Sequence, residues 1–279
     1  MKNRILKKLK MYLLGCMACR SGNLAGCPIF PKRFVLCGPY NREAYNGFLQ
    51  QAAWWKLEKK PTIMDVGANN GDYSLAFKQI YPDANIHLFE PLPELVERLR
   101  RLGARDKEHW IVHDFALGEK AETLAIQIPD HGDESSSLLG FTQEYLKVNP
   151  TAAQRHTSMC QVKRLADIMA NSLSPIIHLL KIDVEGFEFN VLAGAGEAIS
   201  RVERLVVEVS KIRHSGMKEC PIAKMIGLCH GWGLHLINVE PTLTDPTTGF
   251  PVEFDLFFIK AEMLTITSAE RPEQALRRI

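Results

Sequence analysis

The stretch that decides the fold is Pro61-Thr62-Ile63-Met64-Asp65-Val66-Gly67-Ala68-Asn69-Asn70-Gly71-Asp72. A short apolar run empties into a glycine-bearing turn, and helical apolar spacing follows from Asp72 to Ile80. Strand, tight turn and helix in that order open a β-α-β unit. Gly67 and Gly71 let the backbone turn left-handed and approach a ligand closely, and Asn69 and Asn70 tolerate the same dihedrals. A dinucleotide fingerprint, G-x-G-x-x-G, requires glycine where Asn69 and Asp72 stand, which disfavours a nicotinamide oxidoreductase. An adenosyl ligand without phosphates fits better. S-adenosylmethionine is such a ligand, and Asp65 offers negative charge to its ammonium and sulfonium groups.

The same alternation continues outward. NIHLFE (Asn85 to Glu90) reads as a second strand with a helix from Glu94 to Leu102 behind it, and WIVHDF (Trp110 to Phe115) reads as a third. IIHLLKID, RLVVEVS, LHLINVE and FDLFFIK complete seven strands, with helices expected over about 187–195 and 221–229. Strands alternating with amphipathic helices imply a mostly parallel α/β sheet covered on both faces. A further helix, Glu43 to Lys59, precedes the first strand, and Gly194 and Gly196 are expected to stop the helix after the fourth.

Ligands of open α/β sheets bind at the carboxyl ends of the strands. Glu90 ends its strand there, 25 residues after Asp65, where a carboxylate accepts hydrogen bonds from both ribose hydroxyls. Asp114 is expected to meet the adenine amino group, with Phe115 or Ala116 bordering the ring. Some sixty residues separate the third and fourth strands, too many for a simple crossover. Strand-like content at Thr123 to Ile128 and Met159 to Val162, with a weak helix around Thr142 to Lys147, marks a flap over about 119–163.

With those residues assembled, the chain resembles the FkbM family of S-adenosylmethionine-dependent methyltransferases over most of Pro61 to Lys260. DVGANNGDYS (Asp65 to Ser74) resembles the family's cofactor loop, FEP (Phe89 to Pro91) its ribose-binding strand end and FALGEK (Phe115 to Lys120) its third-strand exit. SSSLL (Ser135 to Leu139) resembles a flap segment, and LKIDVEGFEFNVLAGA (Leu180 to Ala195) is the most specific block. The resemblance implies a Rossmann-like, seven-stranded class I methyltransferase sheet with an antiparallel last strand. It also implies methyl transfer, commonly to a hydroxyl of a sugar or other small metabolite. N-methylation and non-catalytic cofactor binding are the alternatives; the Asn/Asp-Pro-Pro-aromatic tetrapeptide common in N-methyltransferases is absent.

Methyl transfer to an alcohol needs alignment and a base for the hydroxyl proton. Asp183 and Glu185 are the leading candidates, because residues at i and i+2 of an extended segment project to one side. Capping of the helix that follows them is the competing role. His131 and His214 are alternative bases. Glu208, at the end of RLVVEVS, is placed either near substrate or beside Asp183 in holding a divalent ion, and Lys181 is read as a structural partner of one of the acids. The substrate-binding set is His131, Ser135, Ser136 and Glu208, with Ser137 and the neighbouring acids adding hydrogen-bond capacity. No metal is assigned, since the carboxylates follow no ligand spacing.

The chain has 279 residues, long for one average domain of roughly 150 residues and short for two. Hydrophobic residues at 46% and charged residues at 24% exclude a disordered or disulfide-scaffold protein. The organisation read here is a basic, cysteine-containing extension over 1–40 and a methyltransferase domain over 41–279. A net charge of +2 provides no field for a phosphate backbone, so nucleic acid is not expected as a partner. Cys16 and Cys19 form a CxxC, but Cys27 and Cys37 follow at spacings of 8 and 10 with no histidine in zinc-finger register, so thiols are expected there rather than a metal cluster; Cys160, Cys220 and Cys229 are expected as core fillers. Residues 1–20 read as a basic amphipathic helix, either covering the domain or making weak contact with an anionic membrane surface. The expected location is cytoplasmic.

Overall fold

The computed structural model describes residues 42–130, 135–170, 176–213 and 220–268. Helix α1 (Arg42–Trp55) leads into β1 (Thr62–Val66), α2 (Asp72–Ile80), β2 (Asn85–Phe89), α3 (Pro93–Leu102) and β3 (Trp110–His113). The flap follows as β4 (Ala116–Leu117), β5 (Glu122–Pro129), α4 (Gln143–Val148) and β6 (Arg155–Lys163). The chain then runs through α5 (Leu165–Ala170), β7 (Leu179–Ile182), α6 (Glu188–Ala195), β8 (Arg204–Ser210), α7 (Pro221–Gly231), β9 (Leu234–Thr244), β10 (Pro251–Lys260) and α8 (Ala261–Ser268).

The main sheet has seven strands in the order β3-β2-β1-β7-β8-β10-β9. The pairs from β3 through β8 are parallel, and β10 runs antiparallel to both β8 and β9. The seven apolar runs of the sequence are these seven strands. The order reverses between β1 and β7, where crossovers leave toward opposite sides and a crevice opens.

Strand alternation divides the core into two layers. Met64, Val66, Leu180, Ile182, Leu205 and Val207 pack against α5, α6 and α7 in one cluster. Ile63, Leu179, Val206 and Phe257 pack against α1 and α2 in another, with Tyr45, Tyr73 and Phe77. Asp65 and Lys181 stand at the alternate positions that face this second layer. The amphipathic α3 buries Leu95, Val96, Leu99 and Leu102, starts with a proline in its first turn and ends on Arg100 and Arg101, which suit a helix carboxyl end.

The flap is a three-stranded sheet, β4-β6-β5, with β5 and β6 antiparallel from Glu122↔Val162 to Pro129↔Arg155. Ile126, Ile128, Cys160 and Val162 pack against Leu92, Leu95 and Ala116, which ties the flap above the carboxyl ends of β2 and β3. The Thr142 hydroxyl accepts the Tyr145 N–H and caps α4.

Several expectations change. The helix expected to reach Lys59 ends at Trp55, because Lys56 turns left-handed (φ 47°). Gly194 is not a stop but a contact: a Cβ there would lie 1.8 Å from the Gly118 carbonyl oxygen, so α6 meets the flap hinge only through a glycine. Gly196 does end α6. Cys220 is exposed rather than a core filler, whereas Cys160 and Cys229 are buried thiols. No helix among the described residues is long and apolar enough to cross a membrane. The expectations for residues 1–40, including the membrane-surface helix and the four early cysteines, lie outside the described residues.

Candidate functional site

The carboxyl ends of β1, β2 and β7 meet the flap around a cavity of about 250 Å³. Its walls combine the turn from Gly67 to Asn70, the strand end at Glu90, and Asp183 and Glu185 after β7. Ala116, Leu117, Ile126, Ser136 and Leu138 supply the flap side. Four segments far apart in sequence therefore share one space.

The turn is built as its glycines require. Gly67 (φ 80°), Asn69 (φ 46°) and Gly71 (φ 83°) all lie in the left-handed region. A Cβ on Gly67 would stand 1.8 Å from the Asp183 carbonyl oxygen, so only glycine lets the two strand exits touch. Gly67 and Ala68 donate their N–H groups to the Phe89 carbonyl. Asn69 N–H donates to Glu90 Oε2 at 2.9 Å and Leu92 N–H to Oε1 at 3.0 Å. Two backbone donors thus fix the buried Glu90 carboxylate at the cavity wall.

Asp65 is placed differently from the sequence expectation. It is fully buried beneath the turn and is not part of the cavity wall, because alternation turns it sideways towards α2. Ser74 Oγ donates to its Oδ2 at 2.6 Å, and Lys181 Nζ lies 3.9 Å from Oδ1. Burial raises its pKa, against the opposing pull of Lys181 and Ser74. Asp72, which opens α2, is the acid of this segment that lines the cavity.

Asp114 also departs from expectation. It faces solvent and pairs with Arg100 at 2.9 Å, a hydrogen bond that lowers its pKa. Phe115 is buried in the core under Lys163, 4.0 Å from its ring, and Ala116 takes the place at the cavity wall. The chain kinks into β4 just after β3, which sends Asp114 outward and Ala116 inward.

Asp183 and Glu185 both line the cavity, but not through strand alternation. β7 ends at Ile182, and Glu185 (φ 57°) and Gly186 (φ 105°) form a left-handed turn that carries the Glu185 side chain back to the cavity. Asp183 Oδ2 accepts from Lys181 Nζ at 2.9 Å. Burial alone would lower the Lys181 pKa, yet Asp183 and Asp65 outweigh it and keep the ammonium charged. Glu185 is ion-paired with Arg213; burial pushes its carboxyl well up, and Arg213 opposes that rise. Neither acid caps α6. Glu188, the first residue of α6, instead reaches back and braces the preceding turn, its Oε1 accepting the N–H of Gly186 at 2.9 Å and of Val184 at 3.3 Å.

Glu208 approaches from β8. Carboxylate oxygens of Asp183, Glu185 and Glu208 lie within 4.8 Å of one another, a spacing that can also hold a cation. Asp255 pairs in register with Glu208, and Glu240 with Asp255, which extends an acidic row across β8, β10 and β9. Burial, with Asp183 next, pushes the Asp255 carboxyl up to about 7. Glu208 is raised by burial and by Asp183 and Glu185. Glu208 itself takes a hydrogen bond from Thr242 Oγ1 at 3.0 Å and is not part of the cavity wall.

The three flap serines separate. Ser136 lines the cavity, Ser135 accepts from Tyr145 OH at 3.0 Å, and the buried Ser137 donates to the Glu185 carbonyl at 2.7 Å. His131 and His214 lie outside the described residues. Sequence reasoning missed Arg213, Glu253, Glu188 and Asp255. The last had a signal, a carboxylate interrupting the apolar run of β10.

A seven-stranded sheet with a single antiparallel member and a cavity at its glycine turn is the class I methyltransferase arrangement. The chain belongs to the methyltransferase FkbM domain family, whose model matches residues 65–242. It is similar to the 31-O-demethyl-FK506 methyltransferase FkbM of Streptomyces tacrolimicus, 28% identical over 67% of this chain and 78% of that one. Methyltransferase 1 of Beauveria bassiana is also 28% identical, over 53% of this chain and 64% of its own length. The 2-O-methyltransferase NoeI of Sinorhizobium fredii is 26% identical over 55% and 65%. The chain thus spans a little under two thirds of the length of the last two.

Proposed function

We propose that this methyltransferase moves a methyl group from S-adenosylmethionine to a hydroxyl of a sugar, glycan or other small hydroxylated metabolite. One observation carries the reading: Asp183, held by Lys181 at 2.9 Å, faces the same cavity as the Gly67–Asn70 turn and Glu90. The residues present suit the cofactor. A carboxylate at a strand end fits ribose hydroxyls, the apolar flap and Leu92 and Leu95 fit a flat ring, and the acids surrounding the space favour a cation. When bound, the sulfonium supplies an excellent leaving group, so the protein's share is alignment and proton removal.

Asp183 is the proton acceptor in this reading. Lys181 occupies Oδ2 and orients the carboxylate, and the side chain keeps about a third of its surface exposed to the cavity. Glu185 and Ser136 position the acceptor's other hydroxyls. The O-methyl transfer in the names of two relatives supports a hydroxyl acceptor.

Calorimetry with S-adenosylhomocysteine and turnover on a pooled metabolite extract together test the reading. Asp183→Asn should keep affinity and lose about 100-fold or more in turnover. Absence of S-adenosylhomocysteine binding to the unaltered protein overturns the reading.

A further inference from the structure

The geometry points to Arg213 as a positioning residue that makes seating of the flap and orientation of Glu185 a single event. Its guanidinium is buried at 4% side-chain exposure and joins three elements. Nη2 pairs with Glu185 in the turn after β7, Nε donates to Glu253 of β10 at 2.7 Å, and the guanidinium carbon lies 3.8 Å from the Tyr145 ring centroid in the flap helix α4. Tyr145 is itself 1% exposed, so this stacking is desolvated, where cation–π contacts are strongest.

Two further bonds close the circuit. Thr142 Oγ1 donates to the Ile212 carbonyl beside Arg213, and Ser137 Oγ donates to the Glu185 carbonyl. The flap therefore grips both the arginine segment and the turn that carries Glu185. That turn holds a glutamate at φ 57° next to a glycine at φ 105°, a conformation that costs free energy and needs surrounding contacts to persist. If Tyr145 lifts, Arg213 loses its cover; if Arg213 leaves, Glu185 keeps a left-handed backbone and a buried carboxyl with no counter-charge. A lysine cannot replace it, because a point charge neither stacks flat on Tyr145 nor reaches two carboxylates from one plane. The consequence for catalysis rests on the acceptor reading above: Glu185 faces the acceptor only while the flap is seated.

Hydrogen–deuterium exchange on the full chain tests this without cofactor or acceptor, so its failure is separable from failure of the methyltransferase reading, which S-adenosylhomocysteine binding decides. Residues 142–149 and 183–188 are followed in the unaltered protein, Arg213→Lys, Arg213→Met and Tyr145→Leu, with α2 as internal reference. All three variants should speed exchange in both segments together by roughly tenfold or more, with α2 unchanged. Arg213→Lys retains the charge and guards against simple loss of folding in Arg213→Met. In Arg213→Met, which removes the counter-charge, the carboxyl-carbon NMR titration of Glu185 should also move to higher pH. Faster exchange in only one segment, unchanged exchange at 183–188 in Tyr145→Leu, or full restoration by Arg213→Lys overturns the proposal.

Discussion

Lys181 and Asp183 stand two residues apart at the end of β7 and touch at 2.9 Å, and the same ammonium lies 3.9 Å from the buried Asp65. One cation thus serves a structural acid below the Gly67–Asn70 turn and the proposed base above it. Removing it leaves two carboxylates without a counter-charge, one of them fully buried.

Lys181→Met should therefore destabilise the protein by about 3–5 kcal/mol, the usual result of breaking a buried pair from one side. Urea denaturation measures it. The double variant Lys181→Met/Asp65→Asn should recover part of the loss; equal stability of the double and single variants would show that Asp65 does not depend on Lys181.

Glu90 and Asp114 give opposite expectations although both follow strand-like segments. Glu90→Ala should weaken S-adenosylhomocysteine binding by roughly ten- to a hundredfold, the range for hydrogen bonds to a charged group. Asp114→Ala removes only an exposed pair with Arg100 and should leave affinity unaltered. Calorimetry on the two variants side by side decides between the cavity geometry and the simpler strand-end rule.

The acidic row makes stability depend on pH. Asp255 titrates near 7 in the folded chain against an ordinary value of 3.8, so the folded state holds its proton more tightly than the unfolded state does. Stability falls as pH rises from about 4 to 7 and stays at the lower level above that. Asp255→Asn should raise Tm by roughly 8–15 °C at pH 8 and by only about 2–4 °C at pH 4.5. Scanning calorimetry that shows the same gain at both pH values would rule out this group as the cause.

Gly194 reverses an ordinary rule. Glycine to alanine inside a helix normally stabilises by about 1 kcal/mol. Here the added methyl meets the Gly118 carbonyl oxygen at 1.8 Å. Gly194→Ala should cost about 1–3 kcal/mol by forcing α6 away from the flap hinge. Thermal unfolding gives the sign directly, and a stabilised variant would mean that α6 is free to move.

What was legible in the chain was what local rules produce. The seven strands, most helix spans and the flap's paired strands follow from apolar period, proline and glycine placement, and excess loop length. Asn69, Glu90 and Asp183 lie at the cavity wall, where strand ends and a glycine turn, both local features, place them. Asp65 and Asp114 were misplaced for one reason: position at or near a strand end says how far along the sheet a residue lies, while its facing depends on twist and on the kink into β4. Arg213 had no local signal, since its partners are 28, 40 and 68 positions away.

The architecture and the position of the cavity at the strand ends follow from residue order alone, because short-range backbone preferences and apolar periodicity are properties of a few consecutive residues. Which carboxylates face the cavity, which lie buried beneath it and which cation each one meets emerge once the strands, the flap and β10 are packed together. Charge pairing acts through space over a few ångströms, and the separations along the chain that it spans leave no periodic trace.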